Sequence, residues 1–179
     1  MKIGFIDLNG DYSTYVTRLL SAILKRENHD VSLIFMLPRP DPDGRETEQL
    51  SAVLDDVDLV MISVFSPIVY RARQVTEFVH RKYPGLKVIW GGAHCIAAPE
   101  KSLDFADGVC YSEGDQAIVE LVKCMEAGED YHNIRNMAFR VNDTIQVNEL
   151  FPPLTILTAF LTLTSALKIS FFLMENYFL

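Results

Sequence analysis

At 179 residues, 49% of them hydrophobic, the chain is long enough to bury the core of one domain and to carry an appendage. A charged fraction of 22% is ordinary for a globular protein. The net charge of −8 excludes non-specific nucleic-acid binding, which needs clustered Lys and Arg against phosphate.

Apolar runs alternate with helical patterns along the first 150 residues. Ile3 to Ile6 reads as a short buried strand, reached with no secretory leader pattern before it. Tyr15, Val16, Leu19, Leu20, Ile23 and Leu24 recur at helical spacing, with Ser13 or Thr14 as N-cap. After a turn at Asn28-His29-Asp30, Val31 to Met36 forms a second strand. The Pro- and Asp-rich stretch Leu37 to Arg45 can continue neither strand nor helix. A short helix, Glu46 to Leu54, precedes the strand Leu59 to Val64, which is apolar on both faces as a central parallel strand must be.

The helix Val69 to Tyr83 turns Val75, Phe78 and Val79 inward and leaves Arg71, Arg73, Arg81 and Lys82 to solvent, and Pro84-Gly85 stops it. Lys87 to Trp90 is a fourth strand. A short helix near Pro99 to Phe105 leads to a fifth, Gly108 to Tyr111. A helix from Gln116 to Glu126 is capped by Gly128. Met137-Ala138-Phe139 and Ile145-Gln146-Val147 flank Asn142-Asp143 as a small hairpin. Such alternation predicts an α/β fold of the doubly wound, flavodoxin-like (Rossmann-like) type, a five-stranded parallel sheet in the order 2-1-3-4-5.

Residues 151–179 differ in character. From Phe151 to Met174 the one charge is Lys168. The length permits a membrane span. Pro152-Pro153, frequent threonines and Lys168 argue against one, so an apolar tail off the membrane is expected.

In such a sheet the strand ends converge on a crevice at the switch point. Four loops meet there: Asp7 to Ser13, Ser63 to Val69, Gly91 to Ile96 and Ser112 to Asp115. The first lacks both the three-glycine dinucleotide fingerprint and the hydroxyl-rich loop of a flavin site, and is equally readable as a polar turn. Ser63 and Ser66 suit a ligand lying close to backbone, although Ser66 could simply cap the next helix with Pro67 behind it. No Asp ends the third strand, which excludes a phospho-accepting receiver. Gly91-Gly92 leaves room for a ligand or makes a tight turn. His94 reads as a hydrogen-bonded loop histidine. Glu113 and Asp115 favour a helix dipole whether or not they touch a ligand. His80 and His132 read as solvated.

Cys95, Cys110 and Cys124 form no CxxC or CxxxCxxC cluster, so no zinc or iron–sulfur cradle is expected, and an odd thiol count suits a reducing cytoplasm. No nucleophilic triad or carboxylate pair can be assembled, so the chain is not expected to be catalytic alone.

The succession Ile62-Ser63-Val64-Phe65-Ser66, Val88-Ile89-Trp90-Gly91-Gly92-Ala93-His94, Ala98-Pro99-Glu100 and Ala106-Asp107-Gly108-Val109-Cys110-Tyr111-Ser112-Glu113-Gly114-Asp115, followed by the hairpin Asn136 to Asn148, resembles the N-terminal cobalamin-binding domain of class B radical-SAM enzymes. The resemblance covers residues 1–150. It implies cobalamin with its nucleotide tail in the switch-point crevice and its corrin over the strand ends. The contacts it suggests are Asn9, Gly10, Ser63, Phe65, Ser66, Gly91, Gly92, His94, Glu113 and Gly114. The Asp-x-His-x-x-Gly signature is replaced by Asp7-Leu8-Asn9-Gly10, so cobalamin is expected without a protein histidine ligand. With no CxxxCxxC triplet the chain holds no 4Fe-4S cluster and looks like a stand-alone or truncated module, paired with a radical-SAM barrel in cis or trans. The alternative is a cofactor-free docking domain of the same fold.

Overall fold

Strand β3 (Leu59–Ser63) sets the frame, because its residues alternate between two buried faces: Leu59 and Met61 on one side, Val60 and Ile62 on the other. The computed structural model of the chain describes residues 1–9, 14–37 and 45–152. Within them β1 (Lys2–Asp7), β2 (Asp30–Phe35), β3, β4 (Lys87–Gly91) and β5 (Gly108–Cys110) pair in parallel in the order β2-β1-β3-β4-β5. The predicted order therefore holds. The hairpin does more than expected: β6 (Met137–Val141) and β7 (Thr144–Val147) extend the same sheet antiparallel beyond β5, giving seven strands among the described residues. Asn142 and Asp143, at φ 49° and 62°, supply the two left-handed residues of its tight turn.

Helices α1 (Tyr15–Arg26) and α6 (Gly114–Ala127) cover the Leu59/Met61 face. The other face carries α2 (Arg45–Leu54), α3 (Val69–Lys82) and the short α4 (Ala93–Ala97) and α5 (Pro99–Ser102). Leu59, Ile62 and Leu121 are fully buried, and each such side chain contributes roughly 1.5–3 kcal/mol as an upper estimate. Trp90 is also fully buried; its indole N–H donates to Thr76 Oγ1 at 2.9 Å, and that hydroxyl donates to the Ala72 carbonyl at 2.9 Å. Gly128, at φ 67°, closes α6 as expected.

Two expectations need correction. Arg71 is buried, not solvated, and Glu46 of α2 pairs with its guanidinium. His80 and His132 are partly exposed yet engaged, His80 Nε2 with Asp107 Oδ2 at 2.8 Å and His132 Nδ1 with Asp130 Oδ1 at 2.6 Å. Ser13, the 38–44 stretch of the Pro- and Asp-rich loop and the tail from 153 lie outside the described residues. Among the described residues no helix is long and apolar enough to cross a membrane.

Candidate functional site

Strand parity builds the site. Asp7, Ser63 and Gly91 stand in register at the C-terminal ends of β1, β3 and β4. They share the face of Phe5, Met61 and Ile89, which α1 and α6 cover. The two helices leave a cleft of about 420 Å³ above these strand ends. Phe5, Met61, Ser63, Ile89, Gly91 and Cys110 form its floor, Tyr15, Val16, Leu19 and Leu20 one wall, and Gly114 and Ile118 the other. Tyr15, Val16 and Ile96 on the rim are 72%, 52% and 59% exposed, so the mouth is apolar and open.

Five of the predicted residues come together here: Ser63, Gly91, Gly92, Glu113 and Gly114. The two glycines do different work. A Cβ on Gly92 would lie 2.7 Å from the Val64 carbonyl oxygen, and its φ is 98°, so the tight turn requires glycine. A Cβ on Gly91 would meet Cys110 at an ordinary 3.7 Å, so its absence simply keeps the floor low. A Cβ on Gly114 would likewise meet only ordinary contacts, with Leu20 at 3.5 Å and Cys110 Sγ at 3.6 Å.

The other predicted contacts are placed elsewhere. Phe65 packs against the opposite face of the sheet. Ser66 neither lines the cleft nor caps a helix with its side chain; it begins a 3₁₀ turn, Ser66–Ile68, and its Oγ is hydrogen-bonded to His94 Nδ1 at 3.2 Å. Asn9 lies at the end of β1, where its amide donates to Asp7 Oδ1 at 2.9 Å and its own Oδ1 is buried without a partner. Thr17 of α1 donates to the other oxygen of buried Asp7 at 3.1 Å, which ties α1 to the strand end. Gly10 lies outside the described residues.

The residues missed from sequence are Phe5, Met61, Ile89, Cys110 and Ile118. Their shared strand parity, and the helix stripe opposite, was the signal that could have found them. Among the described residues no Lys, Arg or His lines the cleft, while Glu113 and Asp115 stand at its edge. Burial pushes the Cys110 thiol up to about 11, with Glu113 and Asp115 adding to the effect, so Cys110 presents a neutral, weakly polar surface. Burial pushes Cys95, on the far face, up to about 12. Among the described residues no three His, Cys, Asp or Glu side chains gather as a metal site.

A family model described as B12 binding domain matches residues 1–122. No curated protein matches the chain. Among solved structures, the radical S-adenosylmethionine methyltransferase TsrM from Kitasatospora setae, with tryptophan substrate and a SAM analog bound, superposes with a TM-score of 0.72 at 15% identity, covering 83% of this chain and 30% of that one. The cobalamin-dependent S-adenosylmethionine radical enzyme OxsB, with aqua-cobalamin and S-adenosylmethionine bound, gives 0.70 at 16% identity, covering 85% and 22%. The methanol:cobalamin methyltransferase complex MtaBC from Methanosarcina barkeri gives 0.55 at 13% identity, covering 71% and 46%. The chain thus spans less than a third of TsrM and of OxsB, and at these identities the likeness is one of fold. With the family model covering most of its length, the chain belongs to the B12-binding domain family.

Proposed function

We propose that this chain is a cobalamin-holding module of a radical-SAM methyltransferase-type system, with residues 1–150 as the module and 151–179 as an appended apolar segment. The observation that carries the reading is the open cleft at the ends of β1, β3, β4 and β5, with Ser63, Gly91, Gly92, Glu113 and Gly114 around it. Its volume suits one flat heterocycle with part of its sugar and is too small for a whole corrinoid. The nucleotide tail is the part with the right shape and polarity. The corrin, ringed by amide side chains, belongs over the strand ends near Asn9, Phe65, Ser66 and His94.

The fit is chemical as well as spatial. A cleft with no cation among the described residues and two acids at its edge disfavours nucleoside di- and triphosphates and flavin phosphates. A tail with a single phosphodiester is tolerated. Cobalamin, when bound, supplies a cobalt centre for methyl or redox chemistry. The chain's own residues seat the tail, exclude water with Tyr15, Val16 and Leu19, and keep Cys110 protonated. Asn9 stands where a ligating histidine would be expected, so the proposal includes no protein histidine on cobalt. The barrel that would hold the 4Fe-4S cluster is proposed as a partner in cis or trans, since the thiols of Cys95 and Cys110 are buried on opposite faces of the sheet. Free thiols suit a reducing, cytoplasmic setting.

The test is gel filtration of the purified chain after incubation with hydroxocobalamin. Co-elution of corrin absorbance with the protein supports the module. Its absence at saturating corrin favours the second reading, a cofactor-free domain that uses the exposed apolar rim to dock on a catalytic barrel.

A further inference from the structure

We infer that the cleft selects corrinoids by the chemistry of their lower base, favouring a benzimidazole-type base over a purine. The inference rests on the proposed seat of the nucleotide tail. Deep in the cleft Phe5, Met61, Ile89 and Ile118 are all nearly inaccessible and offer no hydrogen-bonding group. Cys110 adds a thiol whose hydrogen points at the Ser112 carbonyl, 3.4 Å away.

Part of the backbone at the strand ends is committed as well. The Val64 amide donates to the Gly91 carbonyl at 2.7 Å, and the His94 amide donates to the Val64 carbonyl at 3.1 Å. The Gly92 carbonyl accepts from the amides of Cys95 and Ile96 at 3.0 and 3.2 Å. Among the described residues, what remains polar on the floor is the Ser63 hydroxyl, while Ser112, Glu113, Asp115 and the first amides of α6 lie at the edge.

A benzimidazole presents a hydrocarbon edge to such a floor and brings one ring acceptor, which the Ser63 hydroxyl can meet. Adenine carries an exocyclic amine and ring nitrogens that this floor cannot all satisfy. An unpaired buried donor or acceptor weakens binding by roughly tenfold or more.

Trp90 is the chain's one tryptophan; its backbone borders the cleft while its indole packs on the opposite face of the sheet, a sheet's thickness away, so corrin binding can be read as energy-transfer quenching of its fluorescence. The full chain is titrated with cyanocobalamin, with its adenine-based counterpart, and with cobinamide, which has no base. The expected result is that cyanocobalamin binds roughly tenfold tighter than the adenine form, with cobinamide weaker than cyanocobalamin. Equal affinity for the two bases, with cobinamide weaker, overturns the inference and leaves the cobalamin module standing. Equal affinity for all three removes the tail from the cleft. No quenching by any of them defeats the proposed function itself.

Cys110→Ser places a hydroxyl on the floor at nearly constant volume, and Cys110→Ala serves as its control. The serine variant should narrow the base preference by roughly threefold, and the alanine variant should preserve it. An unchanged preference in a folded Cys110→Ser chain overturns the assignment of selectivity to this floor.

Discussion

The side-chain amide of Asn136 donates to the backbone carbonyl of Glu113 at 2.8 Å, and so fixes the loop that edges the cleft to the strand entering β6. The same side chain accepts from the Phe151 amide at 2.8 Å, and the residue is buried at φ 62°. One asparagine therefore sets the β5–α6 loop and the path of the chain leaving the sheet. Few residues other than Gly and Asn adopt that backbone cheaply.

Asn136→Ala should lower stability by about 2–3 kcal/mol, from two lost hydrogen bonds and the left-handed backbone. Asn136→Gly should recover about 1 kcal/mol of that, because it relieves the backbone but not the bonds. Urea unfolding of the three chains measures both. A loss below about 0.5 kcal/mol in the alanine variant would show that the bridge is immaterial.

Gly91 and Gly92 separate binding from folding. Gly92→Ala drives a methyl into the Val64 carbonyl and strains a left-handed φ, so it should cost about 2 kcal/mol or more. Gly91→Ala finds ordinary contacts and a strand conformation, so stability should stay within about 0.5–1 kcal/mol of the parent. Yet that methyl stands on the cleft floor, and Gly91→Leu should fill it. Thermal melts paired with corrin titration decide the matter: a Gly91→Leu chain that folds and still binds cobalamin as tightly as the parent places the ligand elsewhere.

This contrast marks how far the sequence could be read. Strand order was legible because β3 is apolar on both faces, as a covered parallel strand must be. The converging loops followed from topology alone. Which way each loop residue turns did not. Ser63 and Ser66 are three residues apart, yet Ser63 continues the parity of Met61 into the cleft while Ser66 leaves the strand for a 3₁₀ turn and pairs with His94. Arg71 misled because helical phase gives a face and not what pairs with it, here Glu46 of α2. The role of Asn136 depends on partners 23 and 15 residues away, which no local pattern encodes.

Asp107 predicts the acid limb of stability. Burial alone would raise its carboxyl, but the Val88 amide, Lys87 and His80 outweigh that and hold it below its ordinary 3.8. A depressed carboxylate stabilises fully above the unfolded value and loses that contribution as pH falls through the lower folded one. Stability measured by urea should therefore decline below about pH 4. Asp107→Asn should lower stability at neutral pH by about 1–2 kcal/mol and flatten the decline, since the titrating group is gone. An Asp107→Asn chain with the parent's acid profile would assign that limb to other carboxylates.

Thiol chemistry offers a check on the cleft that needs no ligand. Cys95 and Cys110 are buried, on opposite faces of the sheet, and burial pushes their thiols up to about 12 and about 11. At pH 8 the thiolate fraction of Cys110 is then about one in a thousand, and the thiol is shielded as well. Cys124 is also raised, by burial first and then by Glu129, Glu120 and Asp130, but it is only half-buried on α6. Iodoacetamide should therefore modify Cys124 first in the native chain and reach all three residues only in denaturant, as peptide mass spectrometry would show. Rapid native labelling of Cys110 would mean that α1 and α6 separate readily. In that case the apolar floor is wet, and the tail has no dry seat between them.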